Sequence, residues 1–274
     1  MRCPLSPLTP PVASHKVSVM LTLRDKYYTI RPVVTAHRGF SGKYPENTML
    51  AFTKAYELGV DILEFDVRES ADGELVIIHD PTLERTTTGT GRVDQQPLAA
   101  LKRLNATCWD GTHDRGRRLP APSGTEVIPT LEEVLEAFAG KVGLNIQVYA
   151  ERPGSLETIV RLYQQYDLRD SAFLMLGTFA DAERVRALAP GVAICVCEDR
   201  ANIERHLAFG VDFMQPSNQC LTEAYVQRLL ETGMPANVFF ANDRDTMLEL
   251  IARKIPGILT DVPDVLLELA AIGS

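Results

Sequence analysis

Five short motifs follow one another between residues 37 and 80: His37-Arg38-Gly39, Pro45-Glu46-Asn47-Thr48, Glu64-Phe65-Asp66, Asp72-Gly73 and His79-Asp80. The β-branched apolar residues 33–36 before them predict a buried strand that ends at the first histidine. Residues 48–58 have apolar side chains at helical spacing and are followed by a glycine, which predicts a helix. Residues 62–67 predict the next strand. In parallel α/β folds, sites lie at the carboxyl ends of such strands.

Two carboxylates lie on one face of the second predicted strand. Side chains alternate along a strand, so Glu64 and Asp66 share a face while their apolar neighbours point to the other. A Glu-x-Asp pair by itself is usually a solvated strand edge, but the hairpin signal Asp72-Gly73 returns the chain and brings His79 close. Hard oxygen ligands bind Mg²⁺ or Ca²⁺ better than zinc. The pattern therefore predicts a divalent cation, Mg²⁺ or Ca²⁺, at this strand end.

The rest of the chain predicts a complete barrel. From residue 129 onward, helical and strand-like segments alternate, and with the first two strands they make eight. Eight strands with intervening helices predict an α/β protein of the (β/α)₈, or TIM-barrel, class. Residues 72–129 do not fit a regular unit and predict a small insertion after the second strand, with one short helix, that covers the site. The later strands are expected at residues 142–148, 172–176, 192–196, 211–215, 236–241 and 257–260, and the insertion helix at 97–104.

Composition and charge disfavour several kinds of partner. The 274-residue chain has a formal net charge of −8 and a pI of about 5.2, which argues against nucleic acid. Its five cysteines are scattered and show no CxxC or zinc spacing, so we expect reduced thiols and a cytoplasmic location. No apolar run is long enough to span a membrane, and stable membrane association is not expected.

The domain organisation expected from the sequence is simple. The proline-rich residues 1–32 predict an N-terminal extension, with Met1 or Met20 as the start, and residues 33–274 predict one barrel domain. The sequence leaves the oligomeric state open.

In their order and spacing, the five motifs resemble the signature of the glycerophosphodiester phosphodiesterase family. The resemblance extends over residues 33–263, because residues 128–133 and 257–263 also resemble family segments. It implies a TIM barrel in which Glu64 and Asp66 bind the metal and in which His37 and His79 are the catalytic acid and base. Which histidine takes which role is left open. The resemblance also implies a small-molecule phosphodiester as substrate.

The third predicted strand departs from the family pattern. The family usually has Asn-x-Glu-x-Lys there, the glutamate as a metal ligand and the lysine as a phosphate contact, whereas this chain has Asn145-Ile146-Gln147-Val148-Tyr149. Gln147 can still bind a cation through its carbonyl oxygen, with one negative charge fewer. Tyr149 offers a hydroxyl where the family has an ammonium. The two changes roughly keep the net charge of the site, and they indicate either retuning for a different substrate or a drift towards inactivity.

Four further residues are candidates for phosphate or substrate binding. Arg38 offers a planar fork for a phosphate oxygen, although a structural ion pair with Glu46 explains it equally well. Glu46 lies near the site or caps the first helix. Phe239 stands where the family often has the tryptophan of Trp-x-x-Asn. Trp109, the only tryptophan, lies in the insertion, where binding and packing explain it equally well.

Together these residues predict a metal-dependent phosphodiesterase that hydrolyses a small glycerol or sugar phosphodiester to a phosphomonoester and an alcohol. The changes at positions 147, 149 and 239 predict a bulkier or sugar-like group beside the phosphate. A phospholipase D-like enzyme acting on lipid is a second interpretation, disfavoured because no basic or amphipathic membrane-binding stretch is evident. A barrel that binds a phosphodiester without cleaving it is a third, favoured by Gln147 and Tyr149 and opposed by the two histidines.

Overall fold

The computed structural model describes residues 22–27, 31–110 and 117–272. None of the helices in these ranges is long and apolar enough to cross a membrane. The strands are β1 (Val33–Ala36), β2 (Ile62–Glu69), β3 (Leu75–Ile77), β4 (Trp109–Asp110), β5 (Arg117–Arg118), β6 (Gly143–Val148), β7 (Ala172–Leu176), β8 (Ile194–Val196), β9 (Asn237–Phe239) and β10 (Gly257–Thr260). The helices are α1 (Leu23–Lys26), α2 (Met49–Leu58), α3 (Leu98–Leu101), α4 (Leu131–Phe138), α5 (Ser155–Gln165), α6 (Phe179–Leu188), α7 (Ile203–Phe209), α8 (Glu223–Thr232), α9 (Arg244–Ala252) and α10 (Pro263–Ile272).

Seven parallel strands curl into the barrel. Their order is β8-β7-β6-β2-β1-β10-β9, and every neighbouring pair in this series is parallel. Because parallel strands point the same way, the residues at their carboxyl ends meet at one rim of the barrel. The register places Glu64 beside Asn145 and Asp66 beside Gln147 on adjoining strands. The predicted α/β TIM-barrel fold is confirmed.

Residues 211–215 are not a regular strand, and this part of the prediction is wrong. They lie between β8 and β9, with backbone hydrogen bonds to Ile194 on one side and a parallel bridge between Met214 and Ala236 on the other. Pro216 follows at once, and proline has no N–H to donate to a strand ladder. Isolated bridges rather than a continuous ladder therefore complete the barrel at this position.

The insertion begins after a hairpin and has a small core of its own. β3 runs antiparallel to β2, as the Asp72-Gly73 turn predicts. Between β3 and α4, the described residues form a 3-10 turn at Val93–Gln95, the helix α3, which is shorter than predicted, and the ribbon of β4 and β5. A separate apolar cluster anchors this segment to the barrel; its buried members are Val76, Ile78, Leu83, Val93, Leu101, Ala106 and Ile128.

The described part of the predicted N-terminal extension is packed rather than free. Helix α1 lies within it, and Leu23 and Tyr27 are buried against Val33 and Ile62, the first residues of β1 and β2. This contact covers the amino ends of the strands, opposite the rim described above. Met1 and Met20, the two candidate starts, lie outside the described residues.

Candidate active site

The turn after β1 explains the His-Arg-Gly motif. Arg38 and Gly39 have φ angles of 54° and 78°, in the left-handed region. A Cβ atom on Gly39 would lie 2.7 Å from the backbone carbonyl carbon of Ala51 in α2, so only glycine fits there. The turn directs the backbone amide of Arg38 to Oε2 of Glu64, at 2.8 Å.

His37 is held at the end of β1 by a carboxylate. Its Nδ1 lies 2.6 Å from Oδ1 of Asp261, the residue that follows β10, and the hydroxyl of Ser41 donates to the same oxygen. The His37 ring also stacks on Phe240, with centroids 5.9 Å apart. Burial raises the pKa of Asp261, but the hydrogen bond and charge of His37 outweigh burial and lower that pKa to about 2. An ionised Asp261 therefore orients the imidazole through Nδ1 and leaves Nε2 for the site.

The two carboxylates of β2 are buried at the same rim. Glu64 is 0% exposed and Asp66 is 1% exposed. Among the described residues, Oε1 of Glu64 and Oδ1 of Asp66 have no hydrogen-bond partner, while Oδ2 of Asp66 accepts from Asn47 at 2.7 Å. Burial, followed by the charge of Asp66, raises the pKa of Glu64 well above its ordinary value. Such unsatisfied carboxylate oxygens favour a bound cation.

The donor set around these carboxylates fits a divalent cation with oxygen ligands. Gln147 lies beside Asp66, and its amide nitrogen donates to the Tyr149 hydroxyl, so its carbonyl oxygen remains an acceptor. The buried Oδ1 of Asn145, beside Glu64, has no partner in the described structure. No group of three or more His, Cys, Asp and Glu side chains within the described ranges could hold a metal ion. A cation would therefore depend on two carboxylates with amide and water oxygens, a set suited to Mg²⁺ or Ca²⁺.

His79, just after β3, also has a carboxylate partner. Its Nδ1 lies 2.7 Å from Oδ1 of Asp80, and Arg85 donates to both Asp80 oxygens, at 2.6 and 2.9 Å. Burial raises the pKa of Asp80, but the hydrogen bonds from His79 and Arg85 outweigh it and lower the pKa well below its ordinary value. The His79 ring meets Tyr149 edge-on, with centroids 5.5 Å apart. Each of these two histidines is thus oriented by an ionised carboxylate.

Arg85 connects His79 to the first motif. Its terminal nitrogens donate to both oxygens of Glu46, at 2.7 and 2.8 Å, and Glu46 also accepts from Arg38 at 2.8 Å. Burial raises the pKa of Glu46, but the two arginines outweigh burial and lower it. Of the two interpretations of Arg38, the structure contains the ion pair. Glu46 does not cap α2, because Thr48 is the N-cap.

The aromatic candidates lie at different distances from the histidines. Phe239 meets His37 edge-on, with centroids 5.7 Å apart. The Tyr149 hydroxyl accepts from the amide nitrogen of Gln147, and burial followed by the charges of Asp66 and Glu64 raises the pKa of Tyr149. Trp109 instead covers Arg85, whose guanidinium carbon lies 4.9 Å from the ring centroid. The predicted role of Trp109 in substrate binding stays a prediction.

Sequence reasoning assigned no role to Asp80, Arg85 or Asp261. Asp80 follows a catalytic candidate and Asp261 follows the last predicted strand, so both positions carried a usable signal. Arg85 lies in the threonine-rich part of the insertion, where no local pattern marks it.

Comparisons with known proteins identify the family of this chain. The chain matches the model of the glycerophosphoryl diester phosphodiesterase family over residues 37–265. A glycerophosphodiester phosphodiesterase from Caldanaerobacter subterraneus subsp. tengcongensis is 30% identical over 251 residues, which cover 89% of this chain and 100% of that protein. The structure of an Oleispira antarctica phosphodiesterase in complex with the product sn-glycerol-3-phosphate aligns with a TM-score of 0.74 at 28% identity, covering 90% of this chain and 99% of that one.

A third comparison concerns the fold alone. The structure of a putative glycerophosphoryl diester phosphodiesterase from Silicibacter pomeroyi aligns with a TM-score of 0.77 at 21% identity, covering 88% of this chain and 95% of that one. The family match spans most of the chain and includes both histidines and both carboxylates of the site. The chain therefore belongs to the glycerophosphoryl diester phosphodiesterase family and is a phosphodiester hydrolase.

Proposed function

We propose that the protein hydrolyses a glycerophosphodiester to sn-glycerol 3-phosphate and an alcohol, with Mg²⁺ or Ca²⁺ and with His37 and His79 as the general acid and base. One observation carries the proposal: the buried, unsatisfied oxygens of Glu64 and Asp66 lie at the same rim as two histidines that each have a carboxylate on Nδ1. The product complex of the Oleispira relative supports glycerol as one side of the diester.

Glu64 and Asp66 would hold the cation, together with the carbonyl oxygen of Gln147. When bound, the cation neutralises charge on the non-bridging phosphate oxygens, which otherwise repel an attacking nucleophile. Glu64 and Asp66 are suited to this role because each has one oxygen already engaged by the protein and one without a partner.

The histidines divide the proton transfers between them. One imidazole removes a proton from the attacking water, a new bond forms between the water oxygen and phosphorus, and the other imidazole protonates the leaving alcohol oxygen as its bond to phosphorus breaks. Asp261 and Asp80 keep Nδ1 of each ring engaged, so that Nε2 exchanges the proton. Each transfer is typically worth about a hundredfold to ten-thousandfold in rate.

An aromatic wall supports a preference on the organic side of the substrate. Phe239 and Phe240 both pack against His37, and together they present apolar surface to a group beside the phosphate. We therefore expect glycerophosphodiesters with a bulky or sugar-like alcohol to be better substrates than glycerophosphocholine. The cytoplasmic location expected from the cysteine pattern stays a prediction.

A substrate panel tests the proposed function. Release of sn-glycerol 3-phosphate would be measured from glycerophosphocholine, glycerophosphoethanolamine and glycerophosphoinositol, and release of alcohol from a sugar phosphodiester and a lysophospholipid, each with Mg²⁺, Ca²⁺ or EDTA. We expect turnover that EDTA abolishes and that His37→Asn or His79→Asn lowers at least about a hundredfold. Thermal unfolding of each variant controls for folding. Folded protein without turnover on any member would contradict the proposal, and turnover of the lysophospholipid alone would favour a lipid enzyme.

A further inference from the structure

Arg68 occupies the inward position of β2 that follows Asp66. Side chains two residues apart on a strand share a face and lie about 7 Å apart, so Arg68 follows Glu64 and Asp66 along the same face. It is only partly buried, whereas both carboxylates are fully buried. Arginine keeps its charge in proteins, and β2 therefore places a permanent cation next to the two carboxylates, towards the rim.

Two contacts hold the guanidinium of Arg68 in place. Its Nε donates to the backbone carbonyl oxygen of His79 at 2.6 Å. Its central carbon lies 4.8 Å from the centroid of the Tyr149 ring, so the group packs over that ring. These contacts engage one of its five N–H donors. Nη1 and Nη2 have no hydrogen-bond partner and no ion-pair partner among the described residues.

The neighbouring arginines of the rim are engaged differently. Arg38 donates to Glu46, and Arg85 donates to both Glu46 and Asp80. Arg68 instead borders a small cleft with Tyr149 and Pro81, next to His79. Of the carboxylates that line the same cleft, Glu69 accepts from the backbone amides of residues 151 and 152, Asp94 pairs with Arg92, and Glu151 is exposed. A fixed guanidinium with two unengaged nitrogens beside a proton-transfer residue is well suited to bind an oxyanion.

We propose that Arg68 binds the phosphate group of the substrate and of the phosphomonoester product through Nη1 and Nη2. This inference rests on the proposed function, because it concerns how that substrate is held. The phosphate is favoured over a charged group elsewhere on the substrate, since the His79 imidazole must reach an oxygen bonded to phosphorus and Arg68 is hydrogen-bonded to the backbone of the same residue. Two parallel N–H···O bonds from a planar guanidinium also match two oxygens of one phosphate.

Binding and kinetic measurements on Arg68→Gln test this assignment. Binding of sn-glycerol 3-phosphate would be measured by titration calorimetry, with and without Mg²⁺, next to KM, kcat and the pH profile for the best substrate of the panel. Loss of charged hydrogen bonds should raise the product Kd and KM about tenfold to a hundredfold. Arg68→Lys keeps the charge without the fork and should give a smaller increase. Arg161→Gln on α5, an exposed arginine that donates to Gln165, is the matched control and should bind like wild type.

The hydrogen bond from Arg68 to the His79 backbone offers an alternative explanation, which the measurements must distinguish from phosphate binding. If Arg68 only supports the His79 backbone, Arg68→Gln lowers kcat and changes the pH profile while the product Kd stays the same, and the inference is overturned. Wild-type turnover with unchanged product binding in Arg68→Gln overturns the inference but not the proposed function. Wild-type protein that neither hydrolyses the panel nor binds the product overturns both. If Arg68→Gln does not fold, Arg68→Lys becomes the deciding variant. An unchanged product Kd in Arg68→Lys would overturn the proposed contact of Nη1 and Nη2 with the phosphate.

Discussion

Replacing Glu64 with glutamine tests whether the two carboxylates of β2 form a cation site. Glu64 is fully buried next to Asp66, and its Oε1 has no partner among the described residues. Glutamine has nearly the same shape, keeps an oxygen for the amide of Arg38, and has an amide group that can donate to Asp66. In a chelator the variant replaces a buried carboxyl group that has an unsatisfied oxygen and leaves no cavity, so we expect it to be more stable than wild type. With a cation bound, the Glu64 carboxylate of wild type is a charged ligand that the variant lacks. We therefore expect wild type to be the more stable of the two proteins under this condition.

The size of both effects follows from burial and linkage. Relieving a buried polar group that lacks a partner is worth about 1–3 kcal/mol, and a chain of this size changes its Tm by about 2 °C per kcal/mol. The Tm of Glu64→Gln in chelator should therefore be about 2–6 °C above wild type. A cation at about 100 times its Kd stabilises wild type by about 2.7 kcal/mol, or about 5 °C. The variant should gain much less.

The same carboxylate predicts a pH dependence. Because the pKa of Glu64 is raised in the folded state, that state keeps the proton to higher pH than the unfolded chain does. Wild type in chelator should therefore lose stability as the pH rises above the ordinary glutamate value of 4.5. Glu64→Gln has no proton to lose at this position and should show a flatter profile.

Scanning calorimetry in EDTA, Mg²⁺ and Ca²⁺ between about pH 5 and 8 measures all three effects. Glu136→Gln, an exposed change of the same kind on α4, is the matched control and should follow wild type. A variant that is less stable than wild type in EDTA, combined with a wild-type Tm that neither cation changes, would refute the cation site.

Two further predictions concern the residues that orient the histidines. Asp261→Asn should cost about 2–3 kcal/mol at neutral pH, because the pKa of Asp261 is lowered from 3.8 to about 2. A carboxylate whose pKa is lowered by folding stabilises the protein fully above its unfolded-state pKa, and this stabilisation is lost as the pH falls through its folded-state pKa. The stability cost of Asp261→Asn should therefore shrink between about pH 4 and pH 2, which urea unfolding measures. Arg85→Gln leaves Glu46 and Asp80 without their shared counter-ion and should cost about 3 kcal/mol in urea unfolding. It should also lower kcat about tenfold or more, because Asp80 orients His79; a wild-type kcat in a folded variant would speak against that role.

Element prediction succeeded where local pattern and burial agree. β1, β7 and β10 are short apolar runs that are buried along their whole length, so their sequence alone identifies them. Residues 211–215 have a similar pattern but form only isolated bridges. A strand requires continuous hydrogen bonding with its neighbours, and Pro216, which directly follows this segment, has no N–H to donate. The spacing of apolar residues in the sequence does not show whether this continuous hydrogen bonding is possible.

Some features of the candidate site were also predictable from the sequence, and others were not. The order of the motifs and the alternation along β2 were sufficient to predict that Glu64, Asp66 and His37 share one rim, because parallel strands all end there. The ion pair between Glu46 and Arg85 joins residues 39 positions apart, and the hydrogen bond between His37 and Asp261 joins residues 224 positions apart. The first depends on how the insertion packs, and the second depends on β10 pairing with β1.

The sequence by itself determined the barrel class, the carboxyl-end position of the candidate site and the side chains that we propose for proton transfer and cation binding. Each of these follows from residue type, short spacing and the two-residue period of a strand. Only the tertiary structure decided which carboxylate holds which histidine and that Glu46 is an ion-pair partner rather than a helix cap. It also decided that Nη1 and Nη2 of Arg68 have no partner in the described part of the chain. These outcomes depend on contacts between segments distant along the chain, and local sequence patterns do not specify such contacts.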